Sequence, residues 1–400
     1  MWRKVISRSD RDKQTIESLV RRLGPTSRAR IHELTRIRLS ATSQLVRDLL
    51  TEGRLVEAGV EDGRLGRKSV LLQLNQQYRS VIGLEFDDEC VTAGVTDLKP
   101  RVRKVLRERT RLERGQAGLL EQLLSVTRKA MEGEQVIGIG VADPGLVDSK
   151  RGITLTSSTM PFWRQVPLGE IFAAEFGVPV LVETRTRAKA LAERQGEDDA
   201  GATSMIYIDY GSGIGAGLFV DGRLLYGQGS AAGEFGHTHI VEHGPICTCG
   251  SFGCLEAIAG LRAVEARVRR ILTDGGKTEV LDMADGDPAR ITGWMVFEAA
   301  SRGDKVAINV MAEVARYLGL GIANLVNLFN PGLVVLDARL ALAGQELLDQ
   351  ISVVVRRQAL REATEQVRIR YARVKDGAGV LGVAGMVLDK HYANTTRELR

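Results

Sequence analysis

Gly233-Glu234-Phe235-Gly236-His237, followed by Cys247-Thr248-Cys249-Gly250-Ser251-Phe252-Gly253-Cys254-Leu255-Glu256, holds three of the four cysteines of this 400-residue chain. The order is C-x-C-x4-C, with glycines between the sulfurs. Thiolates and imidazole are the ligands Zn²⁺ prefers, and four of them close a tetrahedron with no position left for water. Such a metal holds loops in place and does no chemistry itself. Gly250 and Gly253 let the backbone turn tightly enough for sequence-near sulfurs to face one ion. His237, His239 and His243 all lie upstream as the fourth ligand. A disulfide and three buried thiols are the alternative readings. An odd thiol count and an N-terminus without a secretory pattern weigh against the disulfide.

Composition is that of an ordinary globular protein, 44% hydrophobic and 26% charged, and the length predicts two or three domains. No uninterrupted apolar run approaches the roughly 18 residues that cross a bilayer. The basic N-terminus MWRKVISRSDRDKQ lacks the apolar stretch of a secretion signal. These features predict a cytoplasmic protein with no membrane partner. Charge is unevenly placed: residues 1–79 carry 17 Lys/Arg against 9 Asp/Glu, and the remainder 38 against 41. A basic N-terminal fifth predicts an anionic partner there.

Ile16, Leu19, Val20 and Leu23 follow the i, i+3, i+4, i+7 rule and predict a helix over 14–23, stopped by Gly24-Pro25. Ser27 is placed to cap a second helix carrying Ile31 and Leu34, and Ser40 or Thr42 to cap a third. Leu45, Val46, Leu49 and Leu50 form the third helix's buried stripe, which ends at Gly53. Ser40, Thr42, Ser43, Gln44 and Arg47 then form a polar face near its start, as a helix-turn-helix reader of base edges requires. Two short strands joined by a basic, glycine-rich tip follow. Arg64, Arg67 and Lys68 are placed to reach phosphates or the minor groove. The alternative is a solvated three-helix domain with scattered arginines. The boundary falls near residue 77, giving a winged helix-turn-helix over 1–77 and a larger unit over 78–400.

Beyond it, residues 81–98 alternate as a strand pair, with Cys90 read as a buried strand residue. A basic strand (102–112), a helix (119–131) and a buried strand (136–141) follow. A short strand (178–182), a helix (186–194) and a glycine-linked hairpin (205–208 with 215–220) come next. Late helices are predicted over 306–329 and 344–363, around a strand at 333–336. Strands alternating with helices predict α/β architecture in two similar halves with a cleft between them.

At this point the motifs match a family. G-E-x-G-H with C-x-C-G-x2-G-C-x-E resembles the ROK family of repressors, open reading frames and kinases. Asp143-Pro144-Gly145-Leu146-Val147-Asp148 looks like its strand-end segment, and Gly211-Ser212-Gly213-Ile214-Gly215-Ala216-Gly217 like its second phosphate loop. The resemblance implies a two-lobed, actin-like ATPase fold behind an N-terminal winged helix, the layout of the repressor branch. It also implies zinc on His237, Cys247, Cys249 and Cys254 (the motif spanning 237–254), and sugar hydroxyls on Glu234, His237 and Glu256. An ionised carboxylate accepts two hydroxyl donors at once, which suits that role.

Three departures separate this chain from the family's kinases. Where those carry Asp-x-Gly-Gly-Thr, this chain has Glu85-Phe86-Asp87-Asp88-Glu89, whose anionic groups would repel a polyphosphate. The Glu-Asn-Asp tripeptide that supplies a sugar-binding amide and the catalytic base is here Glu183-Thr184-Arg185, and arginine accepts no proton. The glycine pair that packs adenosine is Asp337-Ala338. No catalytic residue is therefore expected, and a sugar kinase with a regulatory head is the alternative. Thr184 replaces the amide only in part. Arg185 and Arg187 either read an acidic or phosphorylated sugar, or pair with Glu183, Glu193 or nearby acids, or point to solvent. The expectation is a zinc-containing, homodimeric or homotetrameric repressor that binds a DNA operator and answers to a carbohydrate effector. A regulator that binds a partner protein through the core, without a sugar, is a third reading.

Overall fold

The computed structural model describes residues 7–62, 68–194 and 203–393. The N-terminal segment opens with α1 (Arg8–Leu23), whose first turn is capped by the Ser7 hydroxyl on the Asp10 amide at 3.1 Å. That polar cap starts the helix well before the apolar stripe begins. It stops at Gly24, which takes the positive φ of 77° that a side chain resists. β1 (Thr26–Ser27), α2 (Arg28–Thr35) and α3 (Leu39–Thr51) follow, with Ser27 capping α2 as expected. α3 departs from expectation, since its N-cap is Arg38, with no side-chain cap, and Ser40 and Thr42 lie inside the helix. Thr42 is fully buried, and its hydroxyl donates to the Ile37 and Arg38 carbonyls at 3.2 Å each. It belongs to the apolar stripe and cannot read a base. β2 (Leu55–Asp62) and β3 (Lys68–Leu74) pair antiparallel, with β1 on the far edge of β3. Arg64, Arg67 and the hairpin tip lie outside the described residues.

The rest of the chain forms two halves with the same strand plan. In the first come β4 (Ser80–Phe86), β5 (Cys90–Thr96), β6 (Val102–Arg109), α4 (Gly115–Met131) and β7 (Val136–Asp143). A ribbon of β8 (Leu146–Asp148) and β9 (Ile153–Thr156), then α5 (Leu168–Phe176), β10 (Val180–Thr184) and α6 (Arg185–Arg194), complete it. The second half holds β11 (Met205–Tyr210), β12 (Ile214–Val220), β13 (Arg223–Leu224), α7 (Leu255–Ala259), α8 (Leu261–Thr273), α9 (Glu279–Met283) and α10 (Gly293–Ser301). It ends with α11 (Lys305–Phe329), β14 (Leu333–Leu336), α12 (Gln345–Gln358), α13 (Arg361–Thr364), β15 (Arg368–Tyr371) and α14 (Ala378–Ala393). The sheets run β6-β5-β4-β7-β10 and β13-β12-β11-β14-β15. In each, an antiparallel three-strand meander is extended by two parallel strands and closed by a helix. α11 is long and apolar enough by composition to cross a membrane, but it packs inside the second half against α10 and α12. Cys90 is half-buried at the start of β5, less enclosed than the alternating pattern predicts.

α14, which no periodicity singles out, connects everything. It lies so close to the first sheet that a Cβ on Gly83 would meet the Val380 carbonyl oxygen at 2.4 Å, and one on Gly140 the Val383 Cβ at 2.6 Å. It crosses α6 where Gly382 faces the Ala188 carbonyl, 1.8 Å from where a Cβ would stand. Its last turns, Ala384, Val387, Leu388 and Tyr392, share one apolar cluster with Ile16, Leu19, Val20, Ile31 and Leu49. Burial of each large apolar side chain is worth about 1.5–3 kcal/mol, so this joint is substantial. Arg21 adds an ion pair to Asp389 at 2.9 Å and lies over the Tyr392 ring.

Candidate functional site

The loop between β13 and α7 brings His237, Cys247, Cys249 and Cys254 together, their ligand atoms all within 4.8 Å of one another. A tetrahedral zinc with bonds of about 2.3 Å to sulfur and 2.0–2.1 Å to nitrogen demands S···S edges near 3.8 Å and S···N edges near 3.6 Å. The Cys249–Cys254 sulfurs are 3.8 Å apart, and Cys247 Sγ lies 3.6 Å from His237 Nδ1. The donor set therefore fits such an ion. Local geometry explains how a short segment achieves this. The Cys247 amide donates to Ser251 O at 2.7 Å, and Gly253 takes a φ of 65° where a Cβ would strike the Val241 oxygen at 1.9 Å. His239, one of the alternatives, instead bonds the Phe252 carbonyl through Nδ1 at 2.8 Å. Burial and the neighbouring thiols push Cys254 up to about 12. The Ser251 amide pulls Cys249 down, so one thiol is already disposed to give up its proton.

His237 faces two ways. Nδ1 points to the sulfurs, while Nε2 is 4.0 Å from Glu234 Oε2. Glu234 is exposed at the rim of a small cavity of about 70 Å³ whose lining includes Thr184, Arg185, Arg187, His237 and Glu256. Glu256, at the start of α7, accepts the Ile214 amide on Oε2 at 2.9 Å, an approach open only because Gly213 has no Cβ. All five residues expected to meet a sugar thus line one cavity. The two arginines are not free cations, however. Arg187 pairs with buried Glu183 at 2.7 Å and donates to Ser230 O at 3.0 Å. Arg185 pairs with Asp87 at 2.7 Å and with Asp209 at 3.2 Å.

Arg185 is one member of a buried ionic network. Lys189, one turn further along α6, reaches Asp209 at 2.8 Å and Asp337 at 2.9 Å. Burial raises Asp209 and Asp87, but it is outweighed at Asp209 by Arg185 and Lys189 together and at Asp87 by Arg185 with the Cys90 and Glu89 amides, so both lie below the usual carboxylate range. Glu85 goes the other way, its carboxyl raised by burial despite Lys189 and Arg185. Separated by up to 148 residues, these partners left no trace in local sequence. The positions that in the resemblance would take a base, phosphates and adenosine are occupied by the chain's own ion pairs.

On α3, Ser40, Gln44 and Arg47 are exposed, Ser43 is half-buried, and Arg47 donates to Gln44 Oε1 at 2.6 Å. Lys68 is exposed at the start of β3. Arg36, in the left-handed conformation, and Arg38 are exposed in the turn between α2 and α3. They flank that face and belong with the candidates, and the turn itself was the signal that could have found them.

Residues 81–390 match the ROK family. A xylose repressor of Caldicellulosiruptor bescii is 30% identical over 369 residues, covering 90% of this chain and 91% of that repressor. The crystal structure of a ROK family transcriptional regulator, described as a homolog of the E. coli MLC protein, superposes with a TM-score of 0.80. It is 26% identical and covers 98% of this chain and 99% of its own. A ROK family glucokinase from Streptomyces griseus, solved with glucose and AMPPNP, superposes with a TM-score of 0.71 at 30% identity. It covers 98% of its own length but 77% of this chain. With an actin-like pair of lobes behind an N-terminal helical segment, the chain belongs to the ROK family.

Proposed function

We propose that this protein is a zinc-stapled, DNA-binding repressor of carbohydrate genes, acting in the cytoplasm as a homodimer or homotetramer. Residues 1–77 form the winged helix-turn-helix and 78–400 the effector-binding core. The observation that carries this reading is the N-terminal unit itself. It presents Ser40, Gln44 and Arg47 on one face of α3, and it shares its apolar core with α14 of the sugar-kinase-like portion. The regulator structure covers that unit, whereas the glucokinase structure leaves about a quarter of the chain uncovered. Phosphoryl transfer is disfavoured because Arg185, where the resemblance puts a general base, is bonded to two aspartates and can take up no proton.

The effector meets Glu234, His237 and Glu256 on a loop fixed by zinc, and Thr184 across the cavity. Because Arg185 and Arg187 are already paired, a neutral sugar fits the cavity's charge better than an acidic one. One observation favours the acidic alternative: buried Arg187 keeps Nη2 without a hydrogen-bond partner among the described residues. Effector must favour the conformation that does not hold DNA, or binding changes nothing. Genomic footprinting with the full chain is the test. Binding near sugar transport or catabolic genes, released by a neutral sugar, is the expected result. ATP-dependent turnover of any hexose would overturn the non-enzyme reading. Arg47→Ala should cost about 1–3 kcal/mol of operator affinity, while Lys68→Ala should weaken all DNA equally and lower the salt slope.

A further inference from the structure

We infer that Asp87-Asp88-Glu89, the turn between β4 and β5, is an interlobe clasp in which the chain's own carboxylates replace nucleotide phosphates as the tie between lobes. The turn is rigid from below. Asp87 Oδ1 accepts the amides of Glu89 and Cys90 at 2.9 and 2.8 Å, taking up N–H donors that an anion would otherwise need. Thr110, just past β6, anchors it through the Asp87 and Glu89 carbonyls at 2.7 and 3.1 Å.

From that base each of the three carboxylates reaches a cation outside the first sheet. Asp87 Oδ2 meets Arg185 of α6 at 2.7 Å, and the same guanidinium bonds Asp209 of the second sheet. Asp88 faces Arg262 of α8 at 3.9 Å, and Arg262 also donates to the Thr159 carbonyl at 3.5 Å. Glu89 accepts Arg339 at 3.5 Å and the Trp294 indole N–H at 3.3 Å, with Arg339 stacked 4.4 Å above the Trp294 ring. Three consecutive residues thus gather four contacts from the opposite lobe and α6. The inner contact is buried, while the outer two are partly exposed and open to screening by salt. The consequence is nucleotide independence: lobe closure is set by the clasp and the sugar cavity alone.

The test uses the full chain and does not depend on the DNA reading, because effector-free operator affinity is measured on the same samples. Asp88→Asn with Glu89→Gln removes the outer charges without disturbing the buried pair. Hydrogen exchange at residues 86–90 and, across the cleft, at 292–297 should rise by up to about fivefold, the range of an exposed ion pair. Asp88→Lys combined with Arg262→Glu should restore protection that either substitution alone removes. Calorimetry of the natural chain with tripolyphosphate should show no binding. Unchanged exchange at 292–297, no recovery in the swapped pair, or micromolar tripolyphosphate binding would each overturn the clasp.

Discussion

The two halves carry equivalent hairpin turns, β4–β5 and β11–β12, and they have gone opposite ways. The second keeps Gly211-Ser212-Gly213, and its bare backbone has a use: Glu256 lies where a Gly213 side chain would be, 2.9 Å from its Cβ position. The first carries Asp87-Asp88-Glu89, which fills the equivalent space with charge answered by Arg185 of α6 and, from across the cleft, by Arg262 and Arg339. Glycine persists where a cavity-lining carboxylate must reach a backbone amide. Where no ligand is to be admitted, the turn closes on its own ion pairs. One side of the cleft carries the loop that brings three cysteines and a histidine together, and the other is shut by salt bridges.

That contrast can be broken most forcefully at Arg185. Arg185→Ala removes the cation from buried Asp87 and leaves Asp209 to Lys189, and loss of one partner of a buried pair costs about 3–5 kcal/mol. Denaturant unfolding should show it, with zinc content unchanged. Cys254→Ser attacks the open side instead. It should cost at least 100-fold in metal affinity, more than the roughly 10–100-fold lost with a supporting hydrogen bond. Elemental analysis checks that, and effector affinity should fall with it while the closed side keeps its hydrogen-exchange protection. Gly382→Ala pushes a methyl toward the Ala188 carbonyl between α6 and α14, an overpacking worth about 1–3 kcal/mol, read as a lower Tm. It should also blunt the release of DNA by effector, since α6 carries Arg185 and Arg187 and follows directly on Thr184.

The smallest effect is a pH dependence at the joint. Burial, with Arg79, Arg54 and Arg21 nearby, lowers His391 from 6.5 to about 4. A group whose folded value is depressed resists protonation that the unfolded chain accepts, so its contribution is intact above 6.5 and declines as pH falls toward 4. The N-terminal unit should therefore loosen from α14 over that window, and His391→Phe should flatten the slope in pH-dependent unfolding.

Legibility followed sequence distance. The cysteine loop was readable because His237, Cys247, Cys249 and Cys254 fall within 18 residues, and the sheet strands because their apolar runs are local. Thr42 was misplaced although its spacing to Leu45, Val46 and Leu49 is that of the buried stripe; its polarity was given more weight than its position. α14 was invisible because Ala378–Ala393 is apolar nearly all round, as a helix enclosed on several sides must be. The pairing of Arg185 with Asp87 and Asp209, and of Lys189 with Asp337, depends on the fold bringing distant segments together. The sequence showed that a cation replaced a base, and only coordinates showed what it holds.

α14 also bears on how the protein is made. Its contact between Arg21 and Asp389 spans 368 residues, so the N-terminal unit can hold only part of its core until α14 has left the ribosome. Ordering contacts of such sequence separation is slow. During synthesis the segment that grips an operator stays incomplete until α14 is there to pack on it.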